Sequence, residues 1–257
     1  MMKVTKSRRS PPAGAGAALA LAVAAVLLAS PAAAFPPAQC VVPDNGAGTI
    51  DYPPNPCGYV TLQPMMIIDG LPPGTTIGIE AIIDSFFDIT YQAGGTLGGE
   101  IEQFHAPIHM EMTGAGSMAG YFRPAFFDIF YECHAGPRLP GEPVQSFPHD
   151  LFLMQGQLPP GDPDFDLLRI TAGGGFGMPS PGHTTLTMVG GGGGGGGGWA
   201  VDSFFDITYR IDFVGSPGGP LGGMSGSTTG TIRMQCGIPG TVANEAKTWG
   251  AVKTIYR

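Results

Sequence analysis

Three groups of side chains in this sequence have types and spacings that could do chemistry: alternating carboxylates, neighbouring histidines and four cysteines. Asp162, Asp164 and Asp166 stand in the run Gly161-Asp-Pro-Asp-Phe-Asp166. Ca²⁺ takes roughly six to eight oxygen ligands, and Asp-x-Asp-x-Asp on a curled backbone supplies several of them. An EF-hand would continue with Gly and Glu at its sixth and twelfth positions, where this chain has Leu167 and Gly173. The expectation is therefore a Ca²⁺ site of another geometry at Asp162, Asp164 and Asp166, set against a solvated turn that leads into Leu167-Leu-Arg-Ile170.

His105, His109 and Glu111 share one face of a strand. Residues four apart on a strand are separated by about 13 Å, so a common Zn²⁺ would need a bend at Pro107 and a ligand such as His134 from another strand. No Gly-x-Ser-x-Gly elbow is present in a strand–turn–helix setting. Ser225, in Gly223-Met-Ser-Gly226, lies in a Gly/Ser/Thr loop without nucleophile partners. No catalytic residue is nominated, and a hydrolase ranks third among the readings.

The elements that must position these groups are announced by a duplicated string, Asp84-Ser-Phe-Phe-Asp-Ile-Thr-Tyr91 and Asp202-Ser-Phe-Phe-Asp-Ile-Thr-Tyr209. In the second copy Val201, Ser203, Phe205, Ile207, Tyr209, Ile211 and Phe213 alternate with polar residues, a period of two that predicts a half-buried strand. The first copy predicts Ile83, Ser85, Phe87, Ile89 and Tyr91 inward. A looser third version, Ala125-Phe-Phe-Asp-Ile-Phe-Tyr-Glu-Cys133, puts Phe127, Ile129, Tyr131 and Cys133 inward. The outward edges, Asp84, Phe86, Asp88 and Asp202, Phe204, Asp206, form the candidate binding surface. A ring held between two carboxylates can stack on a sugar face or on a protein partner.

The duplication runs further. Gly94-Gly-Thr-Leu-Gly-Gly99 matches Gly218-Gly-Pro-Leu-Gly-Gly223, and Ile108-His-Met-Glu-Met112 matches Ile232-Arg-Met-Gln-Cys236. Two units, about 71–114 and 178–237, flank a middle section with strands near 119–134, 150–157 and 164–171. Helical periodicity is nearly absent, and Ala243–Val252 is the one helix candidate. The fold class expected is all-β, an antiparallel sandwich or barrel of roughly nine to twelve strands with an internal duplicated unit. The glycine run Gly190–Gly198 reads as an expansion in a tolerant hairpin loop.

Lys3, Lys6, Arg8 and Arg9 precede a small-residue apolar run that ends in Pro31-Ala-Ala-Ala34, the pattern of a cleaved signal peptide over 1–34. A Pro/Gly-rich segment (35–70), the β domain (71–240) and a tail (241–257) follow. The whole chain carries a formal charge of −8; without the four basic leader residues it is −12. Such a surface disfavours nucleic acid, whose binding needs clustered Lys and Arg. No later segment is apolar for the length of a membrane span. Four cysteines in an exported chain, with no Cys-x-x-Cys, favour disulfides over zinc. The expected pairs are Cys40–Cys57, closing a local loop, and Cys133–Cys236, tying the middle of the chain to its end.

The segment Val201–Val214 followed by Gly218–Met234 is similar to exported proteins of environmental bacteria that carry such repeated strand units and have no assigned activity. The resemblance implies secretion and a β-rich fold, and it brings no catalytic residues. The tail Lys247-Thr-Trp-Gly-Ala-Val-Lys-Thr-Ile-Tyr-Arg257 resembles short tails of other exported bacterial proteins. That implies either a sorting tag or the docking of Trp249 and Tyr256 on the domain. The sequence thus reads as a secreted or otherwise extracytoplasmic, structural or surface-binding protein without enzymatic activity. The alternative is a Ca²⁺-assisted carbohydrate- or polymer-binding module, with a glycan or surface protein as partner.

Overall fold

Alternation of apolar and polar side chains governs the long strands of the computed structural model, which describes residues 40–189 and 197–236. The leader, residues 190–196 of the glycine run, the helix candidate and the tail lie outside the described residues. In chain order the strands are β1 (Cys40–Pro43), β2 (Tyr59–Thr61), β3 (Met65–Ile67), β4 (Thr76–Ile83), β5 (Phe87–Gly94), β6 (Gly99–Ala115), β7 (Phe122–Ala135), β8 (Val144–Gln157), β9 (Phe165–Ala172), β10 (Pro181–Val189), β11 (Gly198–Gly215) and β12 (Ser225–Cys236).

The hydrogen bonding closes on itself. Antiparallel neighbours run β4–β2–β12–β11–β10–β8–β7–β6, and β6 pairs again with β4. The remaining strands continue lanes of this ring. β9 follows β10 between β8 and β11, and β1 follows β12 along β11. Similarly β3 joins β2 on β4, and β5 follows β4 along β6. The expected all-β antiparallel fold therefore takes a closed, barrel-type form, which removes sheet edges almost everywhere. A single apolar cluster fills the interior, including Ile50, Phe147, Ile170, Trp199, Ile211 and Phe213.

The second copy of the repeat behaves as its alternation requires. Val201, Ser203, Phe205, Ile207, Tyr209, Ile211 and Phe213 are all buried, while Asp202, Phe204, Asp206, Thr208 and Arg210 face outward. The third version also holds, with Phe127, Ile129, Tyr131 and Cys133 inside.

The first copy does not. β4 stops at Ile83, and Ser85 and Asp88 take left-handed backbone angles, φ 59° and 53°. Phe86 consequently turns inward (6% exposed) and Phe87 outward (40%), the reverse of the expected faces. Tyr91 is exposed as well. Hairpin register supplies part of the reason. Gly94 comes three residues after Tyr91, whereas Gly218 comes nine after Tyr209. As a result Ile108 lies opposite Ile83, while its counterpart Ile232 lies opposite Ile207. The first copy has slid along its partner and overshoots the straight part of the sheet.

The hole left at this point is filled by Phe86, edge-on to Phe104 (5.4 Å) and to Tyr59 (6.4 Å). Burying one Phe contributes about 1.5–3 kcal/mol, comparable to two left-handed residues at about 1–2 kcal/mol each. Relieving that strain is testable. Ser85→Gly should stabilise by about 0.5–1 kcal/mol, since glycine adopts positive φ freely. A lower urea midpoint for this variant would contradict the account.

Candidate functional site

The aromatic and histidine residues of β5, β6 and β7 meet on one outward face. Antiparallel pairing sets His105 of β6 opposite Phe87 of β5 on one side and Phe130 of β7 on the other. The His105 ring lies 5.8 Å from Phe87, stacked, and 5.3 Å from Phe130, edge-on. Four residues along, His109 faces Phe126 at 4.6 Å, and its Nε2 is 3.5 Å from an Asp84 carboxylate oxygen. The two ladders are thus about 13 Å apart along the strands. Phe126 is 56% exposed and Phe122, at the end of the same face, 50%. Asp128 is exposed between Phe126 and Phe130. At the margin Glu111 lies opposite Glu80; partial burial and then that like charge raise its carboxyl pKa.

A continuous outward row links this face to the second copy of the repeat. Phe126 pairs with His109, then Ile82, Val60, Gln235 and Phe204 in successive lanes. At Phe204 the ring already has a companion, because the Arg233 guanidinium sits 4.0 Å over it. Arg233 also holds Asp206 with two hydrogen bonds of 2.7 Å, which keep that carboxyl below the usual aspartate range. Asp202 is exposed beside this pair. Of the expected surface, Asp84 joins the aromatic face through His109, and Asp88 is exposed at the start of β5. Asp202, Phe204 and Asp206 form a second, arginine-covered patch. Phe86 is withdrawn into the core, and Phe87 takes its place outside.

Sequence reasoning missed the combination of Phe87, His105, His109, Phe126 and Phe130. The signal was present as alternation within each segment, but which strands lie side by side was not.

The acidic turn is occupied by internal partners. Asp162 forms an ion pair with Arg123, and its other oxygen accepts the backbone N–H groups of Asp164 (2.9 Å) and Phe165 (3.2 Å). Asp164 accepts the Tyr121 hydroxyl at 3.1 Å. Asp166 turns away to accept Ser216 at 2.7 Å. Arg123 therefore supplies the positive charge that a cation would bring to Asp162. Among the described residues no three His, Cys, Asp or Glu side chains are placed to hold a metal ion together.

The short disulfide Cys40–Cys57 is formed, with Cα atoms 6.0 Å apart. The long one is a correction: Cys133 and Cys236 are free, buried thiols. Cys133 lies on β7 opposite Glu102, and Cys236 ends β12 opposite Tyr59, with β6, β4 and β2 between their lanes. Burial raises both thiol pKa values, that of Cys236 to about 12; for Cys133 burial, with help from Glu102, holds the thiol well above the usual range. Thiols held protonated in this way are inert.

The interior holds one chain of polar groups. Glu102 Oε2 lies 3.1 Å from His149 Nε2, and His149 Nδ1 lies 3.4 Å from the Thr184 hydroxyl. Thr184 meets Ser203 at 2.8 Å; Ser203 also bonds Tyr52 at 2.6 Å and Tyr59 at 2.9 Å. A carboxylate, an imidazole and a hydroxyl in succession resemble a catalytic relay. Here Glu102, Thr184 and Ser203 are 0% exposed and His149 1%, and the groups bond one another across β6, β8, β10 and β11 inside the core. A groove beside Trp199 is lined by Val41, Pro43, Met188 and Val189; its one acid, Asp44, accepts the indole N–H at 2.8 Å.

No helix among the described residues is long and apolar enough to cross a membrane. Comparison with protein-family models, curated proteins and solved structures found no match to this chain.

Proposed function

We propose that the chain is an exported, non-catalytic binding protein whose ligand is a neutral polysaccharide laid across the β5–β6–β7 face. The observation that carries this reading is the exposed set Phe87, Phe126 and Phe122, backed by His105, His109 and Phe130 on a rigid sheet. Rings braced by cross-strand packing present apolar surface at little entropic cost. Asp84, Asp88, Asp128 and the imidazoles beside them offer acceptors and donors for sugar hydroxyls. An open sheet face suits an extended chain better than a small molecule, which favours an enclosed pocket. The acidic balance of the chain argues against a polyanion.

Titration with soluble neutral polysaccharides, with and without Ca²⁺, tests the reading. Phe126→Ala and Phe87→Ala should each weaken binding about tenfold, the equivalent of about 1.4 kcal/mol. Phe126→Tyr should retain it. The folding stability of Phe126→Ala should stay within about 0.5 kcal/mol of the parent, since the ring is on the surface. Equal affinity for parent and both alanine variants, or no binding across the panel, would sink the proposal.

A further inference from the structure

Two imidazoles lie within the aromatic face, each in contact with groups a ligand would also touch. His109 presents Nε2 at 3.5 Å from an Asp84 carboxylate oxygen, with the Phe126 ring 4.6 Å away on the β7 side. The side chains of His109 and Asp84 are 52% and 45% exposed, so both meet anything laid on the face. His105 is held between Phe87 of β5, stacked at 5.8 Å, and Phe130 of β7, edge-on at 5.3 Å. Imidazole is the side chain whose charge ordinarily changes between pH 5 and 8.

We propose, resting on the polysaccharide reading of this face, that His105 and His109 make its binding pH-dependent: tight with both imidazoles neutral, weak once they are protonated. Two effects give the sign. A neutral polymer covering the face strips water from both imidazoles, and loss of water penalises the charged form. That penalty falls on the complex alone, because the free face is wet. Protonated His109 is also drawn onto Asp84 as a charge-assisted hydrogen bond. The N–H and the carboxylate oxygen that would bond sugar hydroxyls then occupy each other.

The charged groups facing the two imidazoles are carboxylates. Around His109 they are Glu111 two residues along β6, Glu80 and Asp84 on the β4 side, and Asp128 on β7. Around His105 they are Asp88 on β5, and Asp128 and Glu132 on β7. Glu132 is itself engaged by Gln103 at 2.7 Å and His134 at 3.0 Å. Carboxyl groups ordinarily titrate below the imidazole range. Glu111 is the one to control, because partial burial and then Glu80 raise its pKa.

Calorimetric titration with hydroxyethylcellulose, dextran and galactomannan tests this, the tightest binder at pH 7.5 serving as the probe. Its affinity should be about tenfold weaker at pH 5.5, which needs a difference of about one pH unit between the free and bound titrations. Near-UV signals should stay constant over that range. At pH 6.5 binding should release protons, read as a dependence of the heat on the ionisation enthalpy of the buffer. His105→Gln with His109→Gln should abolish both the pH dependence and the proton release, whatever its affinity at pH 7.5. Glu111→Gln should keep both. Equal affinity at the two pH values without proton release would overturn the proposal and leave polysaccharide binding standing. Both effects persisting in the double glutamine variant would overturn it too, assigning the response to another group. Absence of binding to every polymer at pH 7.5 would overturn it together with the polysaccharide reading.

Discussion

Replacing His149 with alanine is expected to destabilise the fold by about 3–5 kcal/mol, from the cavity left by a fully buried ring and from the orphaning of a buried carboxyl oxygen. Both side chains of the His149–Glu102 pair are wholly excluded from solvent. Glu102 Oε1 already has no hydrogen-bond partner, so the carboxylate depends on His149 through its other oxygen. Cys133 stands opposite Glu102 on β7 and is a weak donor at best. Removing the imidazole also takes away aromatic contacts with Tyr52 at 4.6 Å and Phe205 at 5.0 Å. Urea denaturation followed by near-UV signals reads the loss. A double variant, His149→Phe with Glu102→Leu, should recover much of it, because an apolar pair of similar volume leaves no buried polar atom unpaired. A His149→Ala loss below about 1 kcal/mol would mean that the pair carries little of the core's stability.

That pair also marks the boundary of what the sequence reveals. Alternation put Ser203 inside β11 and Cys133 inside β7, and both are there, since a period of two permits only two faces. Glu102 and His149 sit at inward positions on their strands, yet nothing along the chain says that β6 and β8 turn those two positions toward one interior point. The cysteines show the same limit. Cys40 and Cys57 close a short loop, so proximity in sequence becomes proximity in space. Cys133 and Cys236 have their neighbours set by the order of lanes, which local spacing does not encode.

The candidate site was legible in parts. Asp84 and the outward Phe204 follow from alternation, but the exchange of Phe86 for Phe87 does not. It depends on a hairpin register fixed by the distance from Tyr91 to Gly94, and on a hole between Tyr59 and Phe104 that exists only in the assembled barrel. One eight-residue sequence therefore has two conformations in a single molecule. Tertiary packing decides between them, as it does whenever strand propensity meets competing burial.

The twin strings allow one chemical change to be made twice in the same protein. Ser203→Ala should cost about 2–3 kcal/mol. Its hydroxyl lies within 2.6 Å of Tyr52 and 2.8 Å of Thr184, and also bonds Tyr59, with every participant buried. Each buried hydroxyl bond contributes about 1 kcal/mol, and orphaned donors add a desolvation cost. Ser85→Ala removes the same hydroxyl from an exposed residue at the bend and should change stability by no more than about 0.5 kcal/mol. The two variants differ in backbone setting and burial while sharing flanking sequence, so the gap between their denaturation midpoints measures what the barrel interior adds to one hydroxyl. Equal losses would show that the octapeptide itself, rather than its place in the sheet, determines the contribution of its serine. A large gap would show that duplication supplied one string for two tasks: an interior strand in β11, and in the first copy a bend that turns Phe87 out to the β5–β6–β7 face.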